Sequence, residues 1–87
     1  MDYEKVVRAI IDPIVEDKES VFIKITTSES GKDVTILIAT EKEDTARLIG
    51  KHGSVANAIR EILSVVGKKE NKRIHITFES FGEEGED

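Results

Sequence analysis

Ala46-Arg47-Leu48-Ile49-Gly50-Lys51-His52-Gly53-Ser54-Val55-Ala56-Asn57-Ala58-Ile59 is the stretch whose reading decides the fold. Two glycines bracket Lys51 and His52 where one apolar-periodic segment ends and another begins. Gly50 tolerates the left-handed conformation that closes a helix. Without side chains at Gly50 and Gly53, a sugar–phosphate backbone can come close to the main chain. The amides opening the next helix point outward and favour an anion. Lys51, and His52 when protonated, add positive charge at the tip. Arg47 precedes the loop, and Asn57 and Arg60 follow it, placed to flank a strand of nucleic acid. The plainer alternative is a helix–turn–helix corner in which the glycines only cap and turn.

The flanking sequence predicts two helices. Thr40-Glu41-Lys42-Glu43 has the capping-box pattern, so Thr40 is the expected N-cap of a helix reaching about Ile49. After Gly53, Val55, Ile59, Ile62 and Val66 recur at helical spacing and form the expected core stripe. Gly67 is the expected stop. Leu63 lies just off the stripe and is expected to be exposed and available to a subunit contact.

Farther out, Tyr3, Val7, Ile10 and Ile14 mark an amphipathic first helix, with Asp2 as N-cap and an end near Asp12, ahead of Pro13. Val21–Thr27 and Asp33–Ala39 alternate and are rich in β-branched residues, so they read as a hairpin across Ser28–Lys32. Arg73–Phe78 alternates as a third strand, with Ile74, Ile76 and Phe78 inward. The predicted order is αββααβ. It fits an α+β, two-layer sandwich in which three helices cover one face of a three-stranded sheet. Residues 1–78 are expected to form a single domain and 79–87 an acidic, flexible tail.

The loop, its apolar flanks and this element order resemble the KH domain. The signature is Ile-Gly-x-x-Gly followed by apolar residues at helical spacing, here Ile49-Gly50-Lys51-His52-Gly53. The order resembles the type II form, and the whole chain is similar to the stand-alone bacterial KH-domain RNA-binding proteins of the KhpA family. The resemblance implies a groove that holds about four single-stranded nucleotides, walled by the loop with its helices and by the sheet. The expected RNA contacts are Arg47, Ile49, Gly50, Lys51, His52, Gly53, Ser54, Val55, Ala56, Asn57 and Arg60. The loop motif does not reveal the sheet side of the groove. The resemblance further implies an RNA chaperone or post-transcriptional regulator tied to cell elongation and division. It also implies a homodimer, or a heterodimer with a second KH-domain protein. The alternative is a KH-shaped protein-interaction module with little RNA binding of its own.

Composition bounds these readings. The chain has 87 residues, enough for one small core, and no cysteine, which excludes disulfides and thiol chemistry. No apolar run is long enough to span a membrane. Met1-Asp2-Tyr3-Glu4 does not open a signal peptide, so a cytoplasmic location is expected. The net charge of −5 hides a division. Residues 42–78 carry eight bases and four acids, whereas residues 79–87 carry five acids and no base. Local charge governs docking within about 8–10 Å, so the basic block outweighs the total.

Rival sites are weak. The two histidines, His52 and His75, have no carboxylate at ligand spacing, so no metal or other cofactor is expected. No serine has a base partner, and the acids read as solvated faces. No enzyme constellation is present. The helix after the loop offers only Asn57 and Arg60 for reading DNA bases, which argues against a helix-turn-helix domain. A helix-hairpin-helix would need an apolar residue between its glycines. No aromatic residue falls beside the loop in sequence, so stacking platforms are not expected.

Overall fold

The protein is described here from a computed structural model covering residues 1–82. In chain order the elements are α1 (Tyr3–Ile11), β1 (Phe22–Thr27), β2 (Asp33–Thr40), α2 (Lys42–Ile49), α3 (Ser54–Lys69) and β3 (Arg73–Ser80). Single 3-10 turns occupy Lys18–Ser20 and Lys51–Gly53. The order is the αββααβ predicted from the sequence. The third strand runs two residues past Phe78, so Glu79 and Ser80 pair with β2 rather than begin a tail. Phe81 and Gly82 follow in a turn, the Phe81 amide donating to the Thr40 carbonyl at 3.0 Å, and the last residues of the expected tail, 83–87, lie outside the described residues.

The sheet order is β1-β2-β3. β1 and β2 pair antiparallel, with Ile23 opposite Ile38 and Ile25 opposite Ile36. β2 and β3 pair parallel, with Val34 beside Ile74, Ile36 beside Ile76 and Ile38 beside Phe78. A parallel pair needs a long crossover, and α2, the loop and α3 supply it. This pairing leaves β3 as an edge strand, which later forms one wall of the site.

The alternation sends Val34, Ile36 and Ile38 to one face, where they are buried against Val7 and Ile11 of α1, Leu48 of α2, and Ile59 and Leu63 of α3. All three helices therefore cover that face. α1 lies against β1 and α3 against β3, while α2 touches β2 and β3. Thr35, Lys24 and His75 face away from the helices and are exposed. Among the described residues no helix is long and apolar enough to cross a membrane.

Asp2 caps α1 as expected, its carboxylate accepting from the Lys5 amide at 3.2 Å. Three local expectations are corrected. Thr40 does not cap α2. It ends β2, fully buried, with its hydroxyl 2.6 Å from that of Thr45, and Glu41 takes the N-cap position without a side-chain bond. The Thr45 hydroxyl also donates toward Glu41 and Glu79 carbonyls, so this pair joins α2 to both strands.

Second, Leu63 is fully buried, whereas Ile62 is 49% exposed. The core face of α3 is Ala56, Ile59, Leu63 and Gly67. Third, Gly67 does not stop α3, which continues to Lys69; Asn71, at φ +60°, makes the left-handed turn instead. Gly67 is small because the chain passes close by. A Cβ there would lie 2.6 Å from Ile74 Cγ1 and 2.8 Å from the Lys72 carbonyl oxygen.

Not all acids are solvated, either. Asp44 is 2% exposed and accepts from the amides of Glu16 and Asp17 at 2.8 and 3.0 Å. It ties the α1–β1 connection to α2. These backbone donors, together with Arg47, hold its carboxyl below the usual carboxylate range despite the opposing effect of burial.

Candidate nucleic-acid interface

The loop starts where α2 closes. The Gly50 amide donates to the Ala46 carbonyl at 2.9 Å, and Gly50 itself adopts φ +75°, ψ 176°. Only glycine holds that conformation comfortably. Packing imposes the same choice, because a Cβ at Gly50 would sit 2.4 Å from Val55 Cγ2. Gly53 is also left-handed, at φ +77°, but a Cβ there would meet nothing within 4 Å. The first glycine is filled against the protein; the second opens on free space.

Between them, Lys51 and His52 are exposed at the tip. His52 adopts φ +58°, a left-handed conformation that histidine tolerates better than most side chains. The Gly53 amide closes the turn onto the Gly50 carbonyl at 3.2 Å. Gly53 is the N-cap of α3, and no side chain caps that helix. The loop thus presents two basic side chains beside a helix start that has no anionic cap of its own.

A groove of about 360 Å³ opens from Gly53 along α3. Ile49, Gly53, Ala56 and Arg60 form one wall, and Ile76, Thr77 and Phe78 of β3 form the other. Among the expected contacts, Ile49, Gly53, Ala56 and Arg60 therefore come together in the groove. Gly50 and Val55 lie behind it, packed on each other. Ser54 and Asn57 are exposed on the first turns of α3, with Asn57 one turn past Gly53. Arg47 is drawn elsewhere. Its guanidinium lies 2.7 Å from Asp44 in a concavity shared with Glu16, Asp17, Glu41 and Glu43.

The sheet wall is what the sequence did not show. Ile76, Thr77 and Phe78 reach the site only because β3 pairs parallel with β2 and keeps its other edge free. Phe78 also corrects the expectation that no aromatic residue accompanies the loop. Its ring borders the groove, with the Arg60 guanidinium carbon 5.7 Å from its centroid. That spacing is within cation–π range, worth about 0.5–1 kcal/mol at an exposed site, and favours an Arg60 position beside the groove. The Ile-x-Phe alternation was the available signal; the strand pairing that gives it meaning was not.

Among the described residues no group of three or more histidine, cysteine or acidic side chains is arranged to hold a metal. The groove is open and apolar-walled, with hydrogen-bonding groups at its rim and positive charge at one end. Among its lining residues Arg60 is the one ionisable side chain.

An αββααβ sandwich with Gly-x-x-Gly between its second and third helices, and a groove between that loop and the edge strand, defines a type II KH domain. The model of the KhpA/KhpB KH domain matches residues 4–78, and the chain belongs to that family, which is not a family of enzymes. Relatives named RNA-binding protein KhpA include one from Listeria monocytogenes, 37% identical over 73 residues, covering 84% of this chain and 93% of the relative. A relative of the same name from Aquifex aeolicus is 34% identical over 61 residues, covering 70% and 75%. One from Bacillus subtilis is 28% identical over 78 residues, covering 90% and 91%.

Proposed function

We propose that the chain binds single-stranded RNA in the groove between the Gly50–Gly53 loop and β3. The observation that carries this reading is the empty space at Gly53, beside two exposed basic side chains and at the mouth of an apolar groove. The names of the relatives support it. In this reading the loop backbone and Lys51 hold phosphates, and His52 adds charge when protonated. Ile49, Ala56 and Ile76 give the bases apolar surface. Arg60, beside the Phe78 ring, lays a planar cation along them, and Ser54, Asn57 and Thr77 supply hydrogen bonds at the rim. Gly50 and Val55 set the shape of the loop from behind. Arg47 does not line the groove and pairs with Asp44, so this reading gives it no contact with the bases.

One groove of this size binds weakly, and pairing two of them raises avidity. The reading therefore includes a homodimer, or a heterodimer with a second KH-domain protein. It includes a cytoplasmic role as an RNA chaperone or post-transcriptional regulator linked to cell elongation and division. The residues favouring a protein contact are Ile62 and Val65, 49% and 62% exposed on α3. They replace Leu63 as candidates for a subunit surface.

The test is RNA affinity of the Lys51→Asp, His52→Asp double variant, measured by fluorescence anisotropy after circular dichroism shows it folded. Reversing charge beside a phosphate should weaken binding about tenfold or more, on the order of 1.4 kcal/mol. The log–log salt slope should become shallower by about 0.7 for each phosphate that is no longer held. Parent-like affinity in the folded double variant would remove the loop from the interface.

A further inference from the structure

The groove uses less than half of the chain's basic block. Four other cations gather at the opposite end of α3, around a concavity of about 240 Å³ lined by Lys32, Lys68, Asn71, Lys72 and Arg73. They come from three places: the β1–β2 turn, the last turn of α3, and the connection into β3. Lysine in the last turn of a helix complements the helix dipole, which accounts for Lys68. It does not account for Lys32 and Lys72, which belong to other elements.

Main-chain bonds hold the cluster together. The Arg73 amide donates to the Lys32 carbonyl at 2.7 Å, the Lys72 ammonium to the Gly31 carbonyl at 2.6 Å, and the Lys72 amide to the Gly67 carbonyl at 2.8 Å. The turn, the helix end and the strand start are thereby locked to one another, and the charges are brought close before any ligand arrives. One carboxylate answers them. Asp33 takes both the Arg73 fork, at 2.9 and 3.0 Å, and His75 at 3.1 Å. Glu70, two residues past Lys68, lines a neighbouring concavity with Asp2 and Glu4, and Lys72 borders both concavities without pairing with any of these acids. Among the described residues the ammonium groups of Lys32 and Lys68 enter no ion pair.

The cluster lies on the line of the groove. Arg60 closes the groove on α3, and Ser64 and Lys68 follow it at intervals of four, about 12 Å farther along the helix. On the other wall, β3 runs back from Ile76 to Arg73. Resting on the groove reading above, we infer that Lys32, Lys68 and Lys72 form a second phosphate-holding site for the same RNA strand, beyond the nucleotides in the groove. The footprint on RNA is then longer than the four or so nucleotides that a KH loop clamps. The added contact is to the backbone and is indifferent to sequence.

The test compares the parent with a Lys32→Gln, Lys68→Gln variant, on oligouridylates of about four and about ten nucleotides, across a salt series. Neither ammonium group makes an ion pair among the described residues, so the variant should keep the parent's circular dichroism and lose at most the small stability that Lys68 contributes at the end of α3. With the short oligomer the two proteins should bind alike. With the long one the variant should bind more weakly and show a salt slope shallower by about 0.7–1.4, one or two phosphate contacts. Equal slopes on the long oligomer, with normal binding of the short one, overturn this inference and leave the groove reading standing. No binding of the short oligomer by either protein overturns the groove reading, and this inference with it.

Discussion

The two loop glycines should respond very differently to the same substitution. In Gly50→Ala the new methyl meets Val55 Cγ2 at 2.4 Å, and Val55 Cβ and N at 2.9 Å. Overpacking of this kind costs about 1–3 kcal/mol. The backbone, at φ +75° and ψ 176°, adds about 1–3 kcal/mol for any residue with a Cβ. Gly50→Ala should therefore destabilise by about 2–6 kcal/mol. Gly53→Ala meets nothing within 4 Å and bears only its left-handed φ of +77°, about 1–2 kcal/mol. For a domain of this size 1 kcal/mol moves Tm by about 4–8 °C. The assay is urea unfolding followed by circular dichroism, with Tm as a check. Gly50→Ala should lose at least about twice the stability lost by Gly53→Ala. Equal losses, or a larger loss at Gly53, would refute the division into one glycine packed against the protein and one opening on the groove.

Three other perturbations probe the frame. Leu63→Ala, at a fully buried site, should cost about 2–5 kcal/mol, and Ile62→Ala, half exposed, less than about 1 kcal/mol; the reverse order in denaturant melts would restore the stripe read from the sequence. Gly67→Ala should destabilise by up to about 2 kcal/mol, because its methyl meets Ile74 and the Lys72 carbonyl at a cost of about 1–3 kcal/mol and alanine returns about 1 kcal/mol over glycine in a helix; a stabilised variant would contradict the close packing of α3 on β3. Asp44 has a folded-state pKa below its unfolded value, so its contribution is present above about pH 4 and lost as pH falls through the folded value. Asp44→Asn should accordingly be less stable than the parent at neutral pH, with a gap that narrows in acid; a gap independent of pH in urea melts would deny the carboxylate its role.

The sequence made the strands legible because a face buried on one side alternates strictly. Gly50 was legible because glycine is the residue that closes α2 comfortably with that backbone, and Gly53 because the same left-handed φ recurs where α3 begins. The orientation of α3 was not. Apolar residues occupy 55, 56, 58, 59, 62, 63, 65 and 66, most of its circumference, so the expected stripe is right at Ile59 and Val55 but takes Ile62 where Leu63 is buried. Ala56 and Gly67 face the core because they are small and let α3 come close. Thr40 looked like a cap because the pattern is local, whereas its pairing in β2 and its bond to Thr45 are not. The sheet wall of the groove depends on a parallel pairing across more than thirty residues, and no local pattern encodes that. The pairing of Arg47 with Asp44 was not legible, because nothing in its sequence neighbourhood marks Asp44 as buried.

The central claim is that RNA lies between the Gly50–Gly53 loop and the free edge of β3. Titrating a short single-stranded RNA into nitrogen-15-labelled protein and following the amide resonances tests it most directly. The account expects the largest shifts at Gly50–Val55 and Ile76–Phe78, with little change at Lys24, Thr35 and Leu37 on the face turned away from the helices. Shifts concentrated on that outer face, with the loop unmoved, would contradict it.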